Sequence, residues 1–98
     1  MRKRRIIPTI PVSCLIEGKD KEKYQPIMYT SILDGVEQCL NSNKTSFILA
    51  RVDDGTNLTD VTIIKDSFKT NLKTVLDYYE QKEEYELCSR TAKLLNKV

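Results

Sequence analysis

The sequence predicts a small α+β domain in which helices cover one face of a three-stranded sheet. Three observations carry this prediction: a helical apolar period over residues 26–40, two β-rich runs joined by an Asp-Gly turn, and a second helical period from residue 67 onward. The 98 residues, 40% of them hydrophobic, are enough for one domain with a modest core. The predicted element order is β-α-β-β-α, ending in a helix or a helical hairpin.

The first eleven residues predict an extended basic arm. Pro8 and Pro11 each lack a backbone N–H and push the preceding residue out of the α region. We therefore divide the chain into an arm over residues 1–11 and a single α+β domain over residues 12–98. The charge of the arm comes from Arg2, Lys3, Arg4 and Arg5.

The first strand is predicted over Val12 to Glu17. Its apolar centre, Cys14-Leu15-Ile16, is continuous, which indicates burial on both faces. The charged segment from Gly18 to Lys23 has no apolar period and is predicted to be a loop.

The first helix is predicted over residues 26–40. Pro26 suits a first helical turn, where a missing N–H costs nothing. Gly35 lies inside the helix; it either permits close packing against a strand or is a tolerated weakness of about 1 kcal/mol. An asparagine in Asn41-Ser42-Asn43 can adopt the left-handed conformation that ends a helix. The apolar stripe consists of Tyr29, Ile32, Leu33, Val36, Cys39 and Leu40.

A β-hairpin is predicted from the two β-rich runs, Ser46 to Val52 and Leu58 to Ile64. Asp53 to Asn57 forms the turn, because Asp-Gly supplies the positive φ angles that hairpins need. Simple alternation puts Ile48, Ala50 and Val52 on one face and Phe47, Leu49 and Arg51 on the other. Both faces then carry apolar groups, so Phe47 and Leu49 are predicted to meet another chain.

The last third of the chain predicts an amphipathic helix capped by Asp66 or Ser67. No apolar residue continues its stripe through Gln81-Lys82-Glu83-Glu84, and a rotated stripe follows. The pattern favours a turn between Lys82 and Tyr85 over one continuous helix. The core face of the first part consists of Phe68, Leu72, Val75, Leu76 and Tyr79.

The segment Tyr85-Glu86-Leu87-Cys88-Ser89-Arg90, followed by Leu94-Leu95, resembles the second helix of the UVR motif, a helical hairpin of excision-repair and chaperone-adaptor proteins. It is also similar to helical tails of small uncharacterised phage and bacterial proteins. The likeness covers the last quarter of the chain and departs at Ala92-Lys93, where the motif has a basic–acidic pair. The resemblance implies protein–protein docking rather than catalysis.

Charge argues against a nucleic-acid binder that uses the whole surface. Of 16 lysines and arginines, four lie in the arm, which leaves 12 against 14 acidic residues in the rest of the chain. The basic run Arg2-Lys3-Arg4-Arg5 could still contact phosphates or an acidic protein groove, or it could be a solvated tail.

No residue pattern predicts catalysis, a metal site or a cofactor. The chain has no histidine, and Cys14, Cys39 and Cys88 lack metal-ligand spacing. Asp53 and Asp54, with Asp60, are expected to serve a hairpin turn rather than a cation. We therefore expect a protein that is not an enzyme and has no small-molecule substrate.

The leading functional hypothesis is a protein–protein interaction module, such as a structural or accessory subunit of a phage particle, with a protein partner or self-association. Tyr78 and Tyr85 lie off the main stripe and are predicted interface residues, since tyrosine suits interfaces. The alternatives are a nucleic-acid-binding accessory protein that uses the arm and a small inhibitor of one partner. The absence of a long apolar run or signal segment predicts no membrane association and a reducing, intracellular location.

Overall fold

The computed structural model describes residues 7–98 and confirms the α+β class. A mixed three-stranded sheet is combined with four helices. The elements in chain order are β1 (Thr9–Pro11), α1 (Val12–Glu17), α2 (Lys21–Ser42), β2 (Ser46–Asp53), β3 (Leu58–Ile64), a short 3-10 turn (Lys65–Ser67), α3 (Phe68–Gln81) and α4 (Tyr85–Leu95).

The sheet has the order β1-β2-β3. The central strand β2 runs parallel to β1, with Ile10 beside Val52, and antiparallel to β3, with Thr59 beside Val52. Parallel strands need a long crossover connection, and here α1 and α2 provide it. The two edge strands are therefore reached by different routes, one through helices and one through a tight turn.

The first strand lies earlier in the chain than the sequence predicted. Residues Thr9–Pro11 form β1, and Val12–Glu17 is a helix instead of a strand. Gly18, with φ 69°, ends α1 in the left-handed conformation typical of a helix C-cap. A short apolar run does not distinguish a strand from a helix by its periodicity, which is why this prediction was wrong.

Helix α2 begins at Lys21, five residues before the predicted start at Pro26. The charged segment through Lys23 is therefore partly helical, and Pro26 lies in the second turn, where it removes one helix hydrogen bond. The predicted end is confirmed, since Asn43 has φ 56° and caps the helix. The predicted stripe supplies the core with Ile32, Leu33, Val36 and Cys39.

A β-bulge in β2 changes the predicted alternation of faces. The register with β3 shifts between Ile48 and Ala50, so Leu49 is an extra residue without a partner in β3. Leu49 and Ala50 are both buried, whereas Arg51 is exposed. The helices cover the face that carries Leu49 and Ala50, and an exposed Arg51–Asp60 ion pair lies on the opposite face.

Gly35 allows α2 to approach β2 closely. A Cβ atom built on Gly35 would overlap the aromatic ring of Phe47. The Phe47 ring in turn lies 5.6 Å from the ring of Phe68 at the start of α3. Of the two interpretations of Gly35, close packing against a strand is the one that the structure shows.

The predicted β-hairpin turn is confirmed and held by aspartate side chains. The Asp53 carboxylate accepts a hydrogen bond from the Gly55 N–H at 2.8 Å. The Asp54 carboxylate accepts bonds from the N–H groups of Thr56 at 2.8 Å and Asn57 at 2.7 Å. These local bonds, with Gly55 at φ 92°, set the register of β3 against β2.

The C-terminal region is a helical hairpin, as the broken stripe favoured. Helix α3 ends at Gln81 and α4 begins at Tyr85, with Glu83 at φ 58° in the connection. The predicted cap at Ser67 is right in position only, because its hydroxyl donates to the Ile64 carbonyl at 2.9 Å and accepts no hydrogen bond from an N–H group of α3. No helix within residues 7–98 has both the length and the apolar character to cross a membrane.

Candidate protein-interaction surface

Apolar side chains on α1 and near the start of α2 are exposed to solvent. Leu15 is 50% exposed, Ile16 is 77% exposed and Ile27 is 42% exposed. Helix α1 has only six residues and buries only Cys14 below one-tenth exposure. Successive side chains of a helix point about 100° apart, so Cys14, Leu15 and Ile16 cannot all face one core, and Leu15 and Ile16 remain exposed.

A cavity of about 380 Å³ lies between Pro8, just before β1, and the face of α2 that includes Ile27. We call it the α2 groove; Pro8, Pro26, Ile27, Thr30, Ser31 and Asp34 line it. The spacing of Ile27, Thr30, Ser31 and Asp34 is i, i+3, i+4 and i+7, so these residues share one face of α2. Apolar atoms from prolines and isoleucine therefore lie next to hydroxyls and one carboxylate.

Ser31 fixes one side of the groove to the sheet. Its hydroxyl donates a 2.7 Å hydrogen bond to the backbone carbonyl of Leu49, the bulged residue. The backbone N–H of Arg51 donates to the Pro8 carbonyl at 2.8 Å; the regular parallel pattern, continued from this bond, would set the Pro8 nitrogen opposite the Leu49 carbonyl. Proline has no N–H to give, so Ser31 supplies the missing donor.

Asp34 at the end of the groove is part of a charged contact between α2 and α4. Arg90 donates to the Asp34 carboxylate at 2.8 Å and to Glu37 at 3.4 Å. Burial lowers the pKa of Arg90, but the hydrogen bond to Asp34 and the charge of Glu37 outweigh burial and raise that pKa overall. The guanidinium therefore remains charged and balances the carboxylate that faces the groove.

Three tyrosine rings pack where α3 meets α2. The rings of Tyr29 and Tyr78 are 4.5 Å apart, and those of Tyr78 and Tyr79 are 5.5 Å apart. Tyr79 is 3% exposed, and its hydroxyl lies near the Thr30 side chain without a well-formed hydrogen bond within residues 7–98. Burial raises the pKa of Tyr79, while the Thr30 side chain opposes that shift.

The predicted interface tyrosines occupy different environments. Tyr78 is half-buried between Tyr29 and Tyr79, and the Lys82 ammonium lies 5.9 Å from its ring centre. Tyr85 is 70% exposed at the first position of α4. Tyr85 is therefore available to a partner in this conformation, whereas most of Tyr78 packs inside the domain.

The predicted position of Phe47 and Leu49 on an uncovered face of the sheet is wrong. Phe47 and Leu49 lie on the helix-covered side of β2, where Leu49 is only 6% exposed and Phe47 packs against Gly35 of α2. This removes the basis for assigning Phe47 and Leu49 to a partner interface. Arg2, Lys3, Arg4 and Arg5 lie outside the described residues, so their role as phosphate or partner contacts stays a prediction.

Two of the three thiols in the described region are buried. Cys14 and Cys39 are buried, and the Cys39 thiol donates to the Ser46 carbonyl at 3.3 Å. Cys88 is half-buried, and burial together with Glu80 and Glu84 raises the pKa of its thiol. Within residues 7–98, no three cysteines, aspartates or glutamates come together in a way that could hold a metal ion.

Sequence reasoning missed the residues that this surface exposes, namely Leu15, Ile16 and Ile27. One signal was present: Gly18 directly after Glu17 is the usual C-terminal residue of a helix. A helix at this position would have turned part of the Cys14-Leu15-Ile16 run toward solvent.

Comparisons with protein-family models, with curated proteins and with solved structures gave no match to this chain.

Proposed function

We propose that this chain is a protein–protein interaction module without catalytic activity, and that it binds a protein partner through α1 and the α2 groove. The observation that carries the proposal is the exposure of Ile16, at 77%, on an ordered helix close in sequence to the groove-lining helix. Removing such a side chain from water stabilises a complex by roughly 1.5–3 kcal/mol.

The chemistry of the groove supports a protein ligand. Pro8, Pro26 and Ile27 offer a rigid apolar lining, while Thr30 and Asp34 provide polar groups. Binding sites for apolar side chains combine a desolvated apolar centre with a few polar groups that orient the ligand. The groove therefore fits an apolar side chain of a partner whose backbone reaches Thr30 or Asp34.

The finer role that the sequence favours is a structural or accessory subunit of a larger assembly, such as a phage particle. A small inhibitor differs in binding one dominant partner at a defined stoichiometry. A nucleic-acid-binding protein differs in depending on the Arg2–Arg5 run and on salt.

The test is a pulldown from the native source with the tagged chain, with and without nuclease, read by mass spectrometry. Ile16→Asp places a charge on the proposed surface, and Val98→Asp, at a residue that is 40% exposed near the C-terminus, is the matched control. We expect protein partners that survive nuclease, disappear with Ile16→Asp and remain with Val98→Asp. Partners that vanish with nuclease, or that Ile16→Asp leaves in place, would overturn the proposal.

A further inference from the structure

The two edges of the sheet differ in how they are protected from other strands. Strand β1 has three residues; it follows Pro8 and ends at Pro11, and neither proline has an N–H to offer. Strand β3 has seven residues, Leu58–Ile64, and contains neither proline nor lysine. In the part of the chain that the structure describes, backbone hydrogen bonds from β3 to another strand run only to β2.

The exposed side chains of β3 are arranged symmetrically about its centre. Leu58 at one end is 60% exposed and Ile64 at the other end is 55% exposed. Both lie on the face opposite the helices, because their partners in β2 are Asp53 and Ser46 on that face. Thr59, Val61 and Ile63 point to the helix-covered side.

From this symmetry we infer that β3 pairs with β3 of a second copy, antiparallel and centred on Val61, to form a continuous six-stranded sheet. This register places Leu58 opposite Ile64 of the other copy at both ends. Thr59 then faces Ile63, Asp60 faces Thr62, and the two Val61 residues face each other. Apolar and β-branched cross-strand pairs are the ones that stabilise antiparallel sheets.

The neighbouring symmetric registers fit less well. Centring on Asp60 places two aspartates directly opposite each other, and like charges in that position are destabilising. Centring on Thr62 shortens the pairing and leaves Leu58 without a partner. In the Val61 register the two Asp60 carboxylates are only diagonal neighbours, and each is already paired with Arg51 of its own chain at 3.1 Å.

This inference rests on the proposed function because it names a second copy as one partner of an interaction module, but it uses a different surface. A single pair of seven-residue strands is smaller than a standard stable interface. We therefore expect a dimer that forms at high concentration and dissociates on dilution.

The experiment is sedimentation equilibrium of the full chain over a range of concentrations. We expect the mean mass to rise from that of the 11.3 kDa monomer toward twice that value. Thr62→Asp places a carboxylate opposite Asp60 of the other copy twice per dimer and should weaken the dimer roughly threefold or more. Thr62→Lys should tighten it by a similar factor at low salt, because the lysine meets Asp60, and added salt should remove the gain.

The register is tested by the opposite effects on dimer affinity that we expect from Thr62→Asp and Thr62→Lys. A lysine on an unspecific strand edge would block pairing instead of strengthening it. Thr70→Asp and Thr70→Lys, at an exposed position in the first turn of α3, are the matched controls and should leave the mass profile unchanged. Thermal unfolding confirms that each variant is folded.

A wild-type chain that stays monomeric at all concentrations would overturn the inference, as would equal weakening by Thr62→Asp and Thr62→Lys. Neither result would affect the proposed binding through Ile16, which the pulldown judges separately. Conversely, a pulldown without protein partners would leave the concentration-dependent dimer in place.

Discussion

Strands β1 and β3 flank the same central strand but are held by different forces. In β1, Ile10 is 1% exposed and belongs to the core. In β3, no side chain is fully buried; Val61 and Ile63 pack against the core only in part, and backbone pairing and the turn from Asp53 to Asn57 hold the rest of the strand. The difference shows that a three-residue strand can be held by one fully buried side chain, whereas a longer strand can combine partial burial with local hydrogen bonds.

The largest expected effect comes from truncating the buried side chain of β1. Ile10→Ala should lower the free energy of unfolding by about 2–5 kcal/mol, because it removes a fully buried side chain and leaves a cavity. Ile64→Ala in β3 removes the same atoms from a residue that is 55% exposed and should change it by less than about 0.5 kcal/mol. Urea denaturation at low protein concentration measures both. Equal losses would contradict the view that the two strands are held differently.

A smaller loss of stability is expected at Gly35, where α2 packs against the central strand β2. Gly35→Ala should destabilise the fold by about 1–3 kcal/mol, because the added methyl overlaps the Phe47 ring. This loss should exceed the gain of about 1 kcal/mol in helix propensity.

The control for Gly35 is a double-mutant cycle with Phe47→Ala. In the Phe47→Ala background the methyl has room, so Gly35→Ala should become stabilising. If Gly35→Ala costs the same in both backgrounds, then contact with Phe47 is not what requires glycine.

The smallest effect is expected at the turn that holds β3. Hydrogen bonds from the N–H groups of Asn57 and Thr56 hold the pKa of Asp54 below its ordinary value of 3.8. The ionised carboxylate therefore stabilises the folded state fully above that pH, and the stabilisation is lost as the pH falls through the lower pKa of the folded state.

Asp54→Ala should lower stability slightly at pH 7 and reduce its dependence on pH below 4. Asp54→Asn should keep the bonds to Thr56 and Asn57, since an amide oxygen also accepts, but should lose the titration. Unfolding curves of the wild type, Asp54→Ala and Asp54→Asn compare these effects from about pH 2.5 to about pH 7, an interval that includes the ordinary pKa of aspartate. An unchanged acid slope in Asp54→Asn would show that Asp54 does not control it.

The parts of the fold that the sequence predicted correctly depend on local signals. The Asp-Gly turn, the two β-rich runs and the broken stripe before Tyr85 each carry their cause within a few residues. The parts that it missed depend on contacts between distant segments. Nothing near Leu49 signals the bulge, and nothing near Thr9 signals a partner in β2, because pairing across the sheet selects both.

The candidate surface was less predictable than the fold for the same reason. Exposure of Ile16 follows from the helical conformation of Val12–Glu17, which the apolar run alone does not reveal. Tyr85, which lies off the main stripe, is 70% exposed, and its role at an interface stays a prediction. Simple alternation put Ala50 and Leu49 on opposite faces, and the one extra residue brings both to the buried face and Arg51 to the exposed one.

The bond from Ser31 to the Leu49 carbonyl ties together three positions that lie far apart in the sequence. Pro8 has no N–H to donate, the Leu49 carbonyl is the acceptor, and the Ser31 hydroxyl on α2 donates to it. During evolution these positions should change together: a descendant that loses the hydroxyl at position 31 leaves a buried carbonyl unpaired, at a cost of about 1–3 kcal/mol. Replacing Pro8 by a residue with an N–H would compensate, so serine at 31 and proline at 8 are expected to be inherited as a pair.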